Sequence, residues 1–141
     1  MTNQEVADIL KNSKTIAVLG VKAEPYEVSN EIFNYLINKN YNVLGVNPKL
    51  AGKEVSGKPV TATLAEIKTP VDIVDIFRAS QHLPMHVEDI LAMGPLPKVV
   101  WFQQGISNDE VAKQLELNGI TVIQDYCIAV AYGTNRHLIE S

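Results

Sequence analysis

Short, unbroken apolar runs alternate along this chain with stretches whose apolar residues recur every three or four positions. Thr15 to Leu19 (TIAVL), Tyr41 to Val46, Val71 to Phe77 (VDIVDIF), Val99 to Phe102 (VVWF) and Ile120 to Ile123 (ITVI) are the runs. They are too apolar and too rich in β-branched residues for a sheet with one wet face, so they predict strands covered on both sides and therefore a parallel sheet. Helices fill the intervals. Val28, Ile32 and Leu36 recur with Phe33 and Ile37 beside them, Val87, Ile90 and Leu91 share one face of Pro84 to Met93, and Val111, Leu115 and Leu117 precede Gly119. A first helix opens with Thr2 and Glu5 as a capping box, carries Val6, Ile9 and Leu10, and ends near Asn12 and Ser13. Thr63 and Glu66 frame a short helical turn, Ser107 and Glu110 form a further capping box, and Ile128 to Tyr132 is a last helical segment.

Strands that alternate with helices from end to end predict one three-layer α/β domain over residues 1–141, a Rossmann-like doubly wound sheet. About five parallel strands in the order 3-2-1-4-5, joined by right-handed crossovers, follow from that pattern. The expected core holds Ile16, Val18, Val43, Leu44, Ile73, Val74, Val99, Val100, Val122 and Ile123.

The 141 residues include 12 Lys plus Arg and 16 Asp plus Glu, a formal net charge of −4, with no clustered basic run. Duplex nucleic acid and anionic membranes are thereby disfavoured as partners, and a small molecule is expected instead. A single cysteine, Cys127, cannot form an internal bridge or a Cys-rich zinc site, which suits a reducing compartment. The first residues are polar and acidic, and no apolar stretch approaches the roughly 18 residues of a membrane span, so a cytoplasmic location is expected.

Ligands of doubly wound sheets sit beyond the carboxyl ends of the strands, so the residues there carry the candidate chemistry. After the first strand come Gly20, Val21 and Lys22, and Ser29 at the start of the next helix offers a hydroxyl and free N–H groups to a phosphate. A plain glycine turn is the competing role. Only the first glycine of the dinucleotide fingerprint is present, which disfavours an ordinary NAD site. The second strand ends in Asn47, Pro48 and Lys49 where an NAD domain places an acid, and a cation there suits a phosphorylated ribose. Arg78 can meet a phosphate as a planar fork and Phe77 can wall a base or pantetheine cleft, with a salt bridge and a core ring as the competing roles. Gln104, beside Gln103 and Gly105, offers an amide at the fourth strand's end, where a structural turn is the alternative. Pro84 interrupts His82 and His86 and no third ligand stands near them, so no metal is expected. Cys127 has no identifiable base and reads as a small buried hydrophobe, while Asp72 and Asp75 read as makers of structural hydrogen bonds. No catalytic constellation emerges.

Val18-Leu19-Gly20, Val46-Asn47-Pro48-Lys49, Val71 to Arg78, Val100 to Ile106 and Asp125-Tyr126-Cys127 together resemble the small stand-alone CoA-binding proteins of Rossmann type. That family is similar to the N-terminal CoA-binding domain of the succinyl-CoA synthetase alpha subunit. The resemblance implies coenzyme A as ligand and nucleotide-binding roles for Gly20, Ser29, Pro48 and Lys49, with Lys22 standing where the family has a hydroxyl residue. It implies binding of CoA or acyl-CoA without turnover, as a sensor or carrier, and a homodimer is one of the oligomeric states left open. A small NADP-dependent oxidoreductase subunit and a non-binding Rossmann-like interaction protein are the alternatives.

Overall fold

The computed structural model describes all residues 1–141, in the element order α1 (Asn3–Asn12), β1 (Thr15–Leu19), α2 (Val28–Asn38), β2 (Asn42–Val46), β3 (Glu54–Val55), β4 (Lys58–Thr61), β5 (Ile73–Ile76), α3 (Leu83–Leu91), β6 (Val99–Phe102), α4 (Asp109–Leu117), β7 (Thr121–Ile123), α5 (Ile128–Thr134) and α6 (Arg136–Ile139). Seven strands form one sheet in the order β3-β4-β2-β1-β5-β6-β7, all parallel except the antiparallel β3–β4 pair.

This corrects the expectation of five strands in the order 3-2-1-4-5. The run expected as the third strand, now β5, lies beside β1 and not beyond β2. A strand with no apolar run of its own, β4, takes the place next to β2. Counting only the six parallel strands, the order is 3-2-1-4-5-6, so the doubly wound plan is kept with one more member. The hairpin β3–β4 carries two buried side chains, Val55 and Val60, among charged residues and Pro59, as befits a sheet edge. Its turn is Ser56-Gly57, both with positive φ (51° and 76°), the conformation that a two-residue hairpin loop requires.

Successive strand residues face opposite layers. Ile16 and Val18 pack with α1, α2, α5 and α6, around Leu10, Phe33, Leu36, Ile128 and Tyr132. Ala17 and Leu19 pack with α3 and α4, around Leu83, Ile90, Val111 and Leu115. Two cores on opposite faces of one sheet make the three layers. Of the expected core residues, Leu44 and Val122 are only half-buried, because β4 covers β2 only from Gly45 onward and β7 is the last strand of the sheet.

Local expectations also shift. The capping box at Thr2 and Glu5 is present with both of its bonds, and hydrogen bonding from the Thr2 backbone N–H and the Thr2 side chain holds the Glu5 carboxyl below its ordinary range. The fourth helix, however, is capped by Asn108, whose side chain accepts from the Val111 N–H at 3.0 Å, and Ser107 instead donates its N–H to Ser80 Oγ. Residues 63–67 make one turn and no helix: the Leu64 and Ala65 N–H groups are taken by Asp89 of α3, at 2.8 and 3.0 Å. Asp72 acts as expected and clips β5 to β1 by accepting from the Lys14 and Thr15 N–H groups at 2.8 and 3.0 Å. Burial raises its pKa, but those bonds and Lys98 outweigh it and hold the carboxyl low.

Asp75 departs from expectation. It sits in the middle of β5 between Val18 and Trp101, fully buried, and neither carboxylate oxygen has a hydrogen-bond partner. Burial alone pushes its pKa well above the ordinary carboxylate value. Cys127 departs as well, since it is partly exposed and packs against the core from the N-cap of α5. No helix is long and apolar enough to cross a membrane.

Candidate functional site

Strand order reverses at β1: α2 leads to β2 on one side, while β5 lies on the other. A cleft of about 770 Å³ opens at the carboxyl ends of these three strands, where doubly wound sheets hold their ligands. Its walls come from Leu19 and Gly20, from Lys22 to Glu24 with Glu27, from Val46 to Leu50 and from Phe77 to Ala79, with His82, Met85 and His86 arriving from the segment that opens α3.

Gly20 makes the floor possible. Its φ is +90°, and a Cβ there would stand 2.5 Å from the Phe77 carbonyl oxygen and 3.4 Å from Arg78 Cδ. The first strand thus turns directly against the end of β5 while the Gly20 N–H donates to the Val46 carbonyl at 2.8 Å. Gly20→Ala should therefore lose about 1–3 kcal/mol of stability, since both the backbone region and the space are wrong. Urea unfolding of the variant checks this; unchanged stability would mean the turn relaxes freely.

Beyond Gly20 the loop is fastened from three directions. Ser29 Oγ accepts from the Lys22 N–H at 3.1 Å, Asn30 Nδ2 donates to the Lys22 and Ala23 carbonyls at 2.8 and 3.3 Å, and Asn47 Nδ2 donates to the Val21 carbonyl at 2.8 Å. Asn47 Oδ1 also accepts from the Lys49 N–H at 2.9 Å, which sets the turn at Pro48–Leu50. The N-cap of α2 is Glu27, which lines the cleft and whose side chain makes no capping bond.

Of the residues proposed from sequence, Gly20, Lys22, Asn47, Pro48, Lys49, Phe77 and Arg78 line this one cleft. Val21 is fully buried beneath it, Ser29 is only 5% exposed with its hydroxyl turned to the loop backbone, and Gln104 lies exposed beyond the end of β6, outside the cleft wall. Sequence reasoning missed Glu27, Leu50 and Met85 as cleft residues and gave His82 and His86 no ligand role beyond the discounted metal. The four-residue spacing from His82 to His86 was the available signal. No group of three or more His, Cys, Asp or Glu side chains is placed to hold a metal ion.

The cleft carries three cations, Lys22, Lys49 and Arg78, against two carboxylates, Glu24 and Glu27. Lys22 pairs with Glu27 at 3.6 Å, but Lys49 and Arg78 have no carboxylate within ion-pair distance. Arg78 instead donates its Nε–H to His86 Nε2 at 3.2 Å. Burial, and then the Arg78 charge, lower the pKa of His86. Two cations without counter-ions, Lys49 and Arg78, on the walls of one cleft make a site for an anion.

Residues 14–133 match the CoA binding domain family. The chain belongs to that family. Within and around it, the chain is 36% identical over 132 residues to the protein YneT of Bacillus subtilis (strain 168), covering 94% of this chain and 95% of that one. A solved structure from Thermus thermophilus, cell-free ID.343, superimposes with a TM-score of 0.91 at 38% identity, over 96% of this chain and 99% of that one. A hypothetical protein from Pyrococcus horikoshii OT3 superimposes at 0.89 with 28% identity, over 96% and 93% of the two chains. The match of this CoA binding domain includes every residue of the cleft wall.

Proposed function

We propose that the chain binds coenzyme A or an acyl-CoA in the cleft beyond β1, β2 and β5 and does not turn it over, acting as a carrier or sensor. The observation that carries this reading is the pair of cations without counter-ions, Lys49 and Arg78, on opposite walls of a cleft floored by the Gly20 turn. Coenzyme A carries a 3′-phosphate on its ribose and a diphosphate bridge, so it presents two anionic groups to such a cleft. Lys49, at the end of β2, takes the ribose phosphate, while Arg78 and the loop after β1 take the diphosphate. Phe77 and the exposed Met85 supply apolar wall for the uncharged parts of the ligand.

Native mass spectrometry of the purified protein, followed by calorimetric titration with CoA, acetyl-CoA and NADPH, tests the assignment. Retained CoA or acyl-CoA, and tighter binding of these than of NADPH, is the expected result. Preference for NADPH would favour a nicotinamide-dependent subunit, and failure to bind any of them would favour an interaction module. Steady-state assays with acetyl-CoA, succinyl-CoA and NADPH should stay at background. Sustained turnover that vanishes in Cys127→Ala would overturn the non-catalytic part of the reading.

A further inference from the structure

Arg78 is held in an unusual way for a binding-site arginine, by an imidazole and not by a carboxylate. Its Nε–H donates to His86 Nε2 at 3.2 Å, and its stem lies against Gly20 at the floor of the cleft. A guanidinium stays protonated and only donates, so the nitrogen that accepts from it must keep its lone pair. His86 is therefore neutral in this arrangement, with its proton on Nδ1. With Nε engaged by the imidazole, the terminal amino groups of Arg78 stay available to the cleft beside the Gly20 turn.

We propose that His86 is the positioning residue that presents Arg78 to the ligand's diphosphate, and that it does so only as the neutral imidazole, so that capture weakens as the medium is acidified. The inference rests on the coenzyme A reading above. Protonation would turn the Nε2 acceptor into a donor facing a permanent cation, and the pair would separate. Burial and the Arg78 charge already disfavour the imidazolium, and His82 adds to this, while Asp89 opposes it. The Asp89 carboxylate is committed to the Leu64 and Ala65 N–H groups. The other charged groups of the cleft are Lys22, paired with Glu27, together with Glu24 and Lys49.

Dephospho-CoA is the probe of choice, because a 3′-phosphate would itself titrate near pH 6 and obscure the profile, whereas the diphosphate bridge does not. Calorimetric titrations would compare the wild type, His86→Gln and His86→Leu at pH 7.5 and pH 4.5, with thermal unfolding of each at both pH values to show that it is folded. The Gln side-chain oxygen takes the place of Nε2 as an acceptor but does not titrate. Wild-type affinity should fall about three- to tenfold on acidification, the size expected for losing one positioning hydrogen bond. His86→Leu should be weaker by about the same factor already at pH 7.5, with a flat profile. His86→Gln should keep wild-type affinity at pH 7.5 and lose most of the slope.

A flat wild-type profile would overturn the proposal, and so would tighter binding on acidification, which would mean an imidazolium contacting the phosphate directly. His86→Leu binding as tightly as the wild type would also overturn it. Should His86→Leu fail to fold, the slope of His86→Gln decides alone. Failure of every variant to bind either dephospho-CoA or CoA at both pH values would overturn the coenzyme A reading, and this inference with it.

Discussion

Replacing Asp75 with valine should stabilise the protein at pH 7 by about 2–3 kcal/mol, or roughly 5–10 °C in melting temperature. The carboxyl is fully buried in β5 between Val18 and Trp101, and neither of its oxygens is hydrogen-bonded. An apolar, β-branched side chain of similar size suits that strand position and removes the unsatisfied polar atoms. The sign of the pH dependence follows from burial, which raises the folded-state pKa well above that of the unfolded chain. Between those two values the native state holds a proton that the unfolded state has released. The contribution of Asp75 to stability is therefore greatest in acid and falls as pH rises, by at most about 1.4 kcal/mol per pH unit. The advantage of Asp75→Val over the wild type should accordingly widen from about pH 4 upward until the folded-state pKa is passed. His86, whose pKa is lowered, works in the opposite sense, so the difference between the two proteins is the quantity to measure. Urea denaturation of both at several pH values would supply it. A constant difference would show that the carboxyl does not titrate as a buried, unpartnered acid, and a destabilised variant would show that it has a partner.

Lys49→Ala should weaken CoA binding by about ten- to a hundredfold while barely changing the affinity for dephospho-CoA. The side chain stands at the end of β2 with no carboxylate partner, so its charge is available to the ligand without first breaking an ion pair. Its backbone is held in place independently, by the Asn47 side chain and the turn at Pro48–Leu50, so truncation should leave the cleft wall standing. A charge-assisted contact to the 3′-phosphate is worth on the order of 1.5–3 kcal/mol, which sets the expected range. Calorimetry with both ligands on both proteins completes a double-difference cycle. Equal affinity of the wild type for CoA and dephospho-CoA would show that the 3′-phosphate is not read in this cleft.

The cleft's location was legible in the sequence because it depends on local patterns. Runs such as TIAVL and VVWF are continuous, short and bounded, and strands covered on both faces belong to a sheet whose ligands gather at the carboxyl ends. Gly20, Lys49 and Arg78 could thus be placed at strand ends without coordinates. The hairpin of β3 and β4 was not legible, since an edge element buries only Val55 and Val60 and carries Pro59. Its Ser56-Gly57 turn was the one local sign, and without β4 the place of β5 in the sheet was misjudged.

Which side chains face a ligand and which hold the scaffold is a different kind of question, decided by partners distant in sequence. Ser29 and Asn47 have the composition of ligand-binding residues, yet the hydroxyl of Ser29 and the amide of Asn47 satisfy loop backbone groups at Lys22 and Val21. Asp72 and Asp75 are three positions apart in one run, and only tertiary structure separates them. Asp72 stands at the start of the run within reach of the Lys14 and Thr15 N–H groups, whereas Asp75 stands mid-strand, where the neighbouring strands spend their N–H groups on the ladder and offer Val18 and Trp101 as side-chain neighbours. His86 meets Arg78 only because the third helix packs back over the end of β5. The sequence determined five of the parallel strands and the strand ends at which the cleft opens, because periodicity and strand ends are local properties. Hydrogen-bond partners and burial are set by chain segments brought together from afar, so the role of each polar side chain was decided only by the fold.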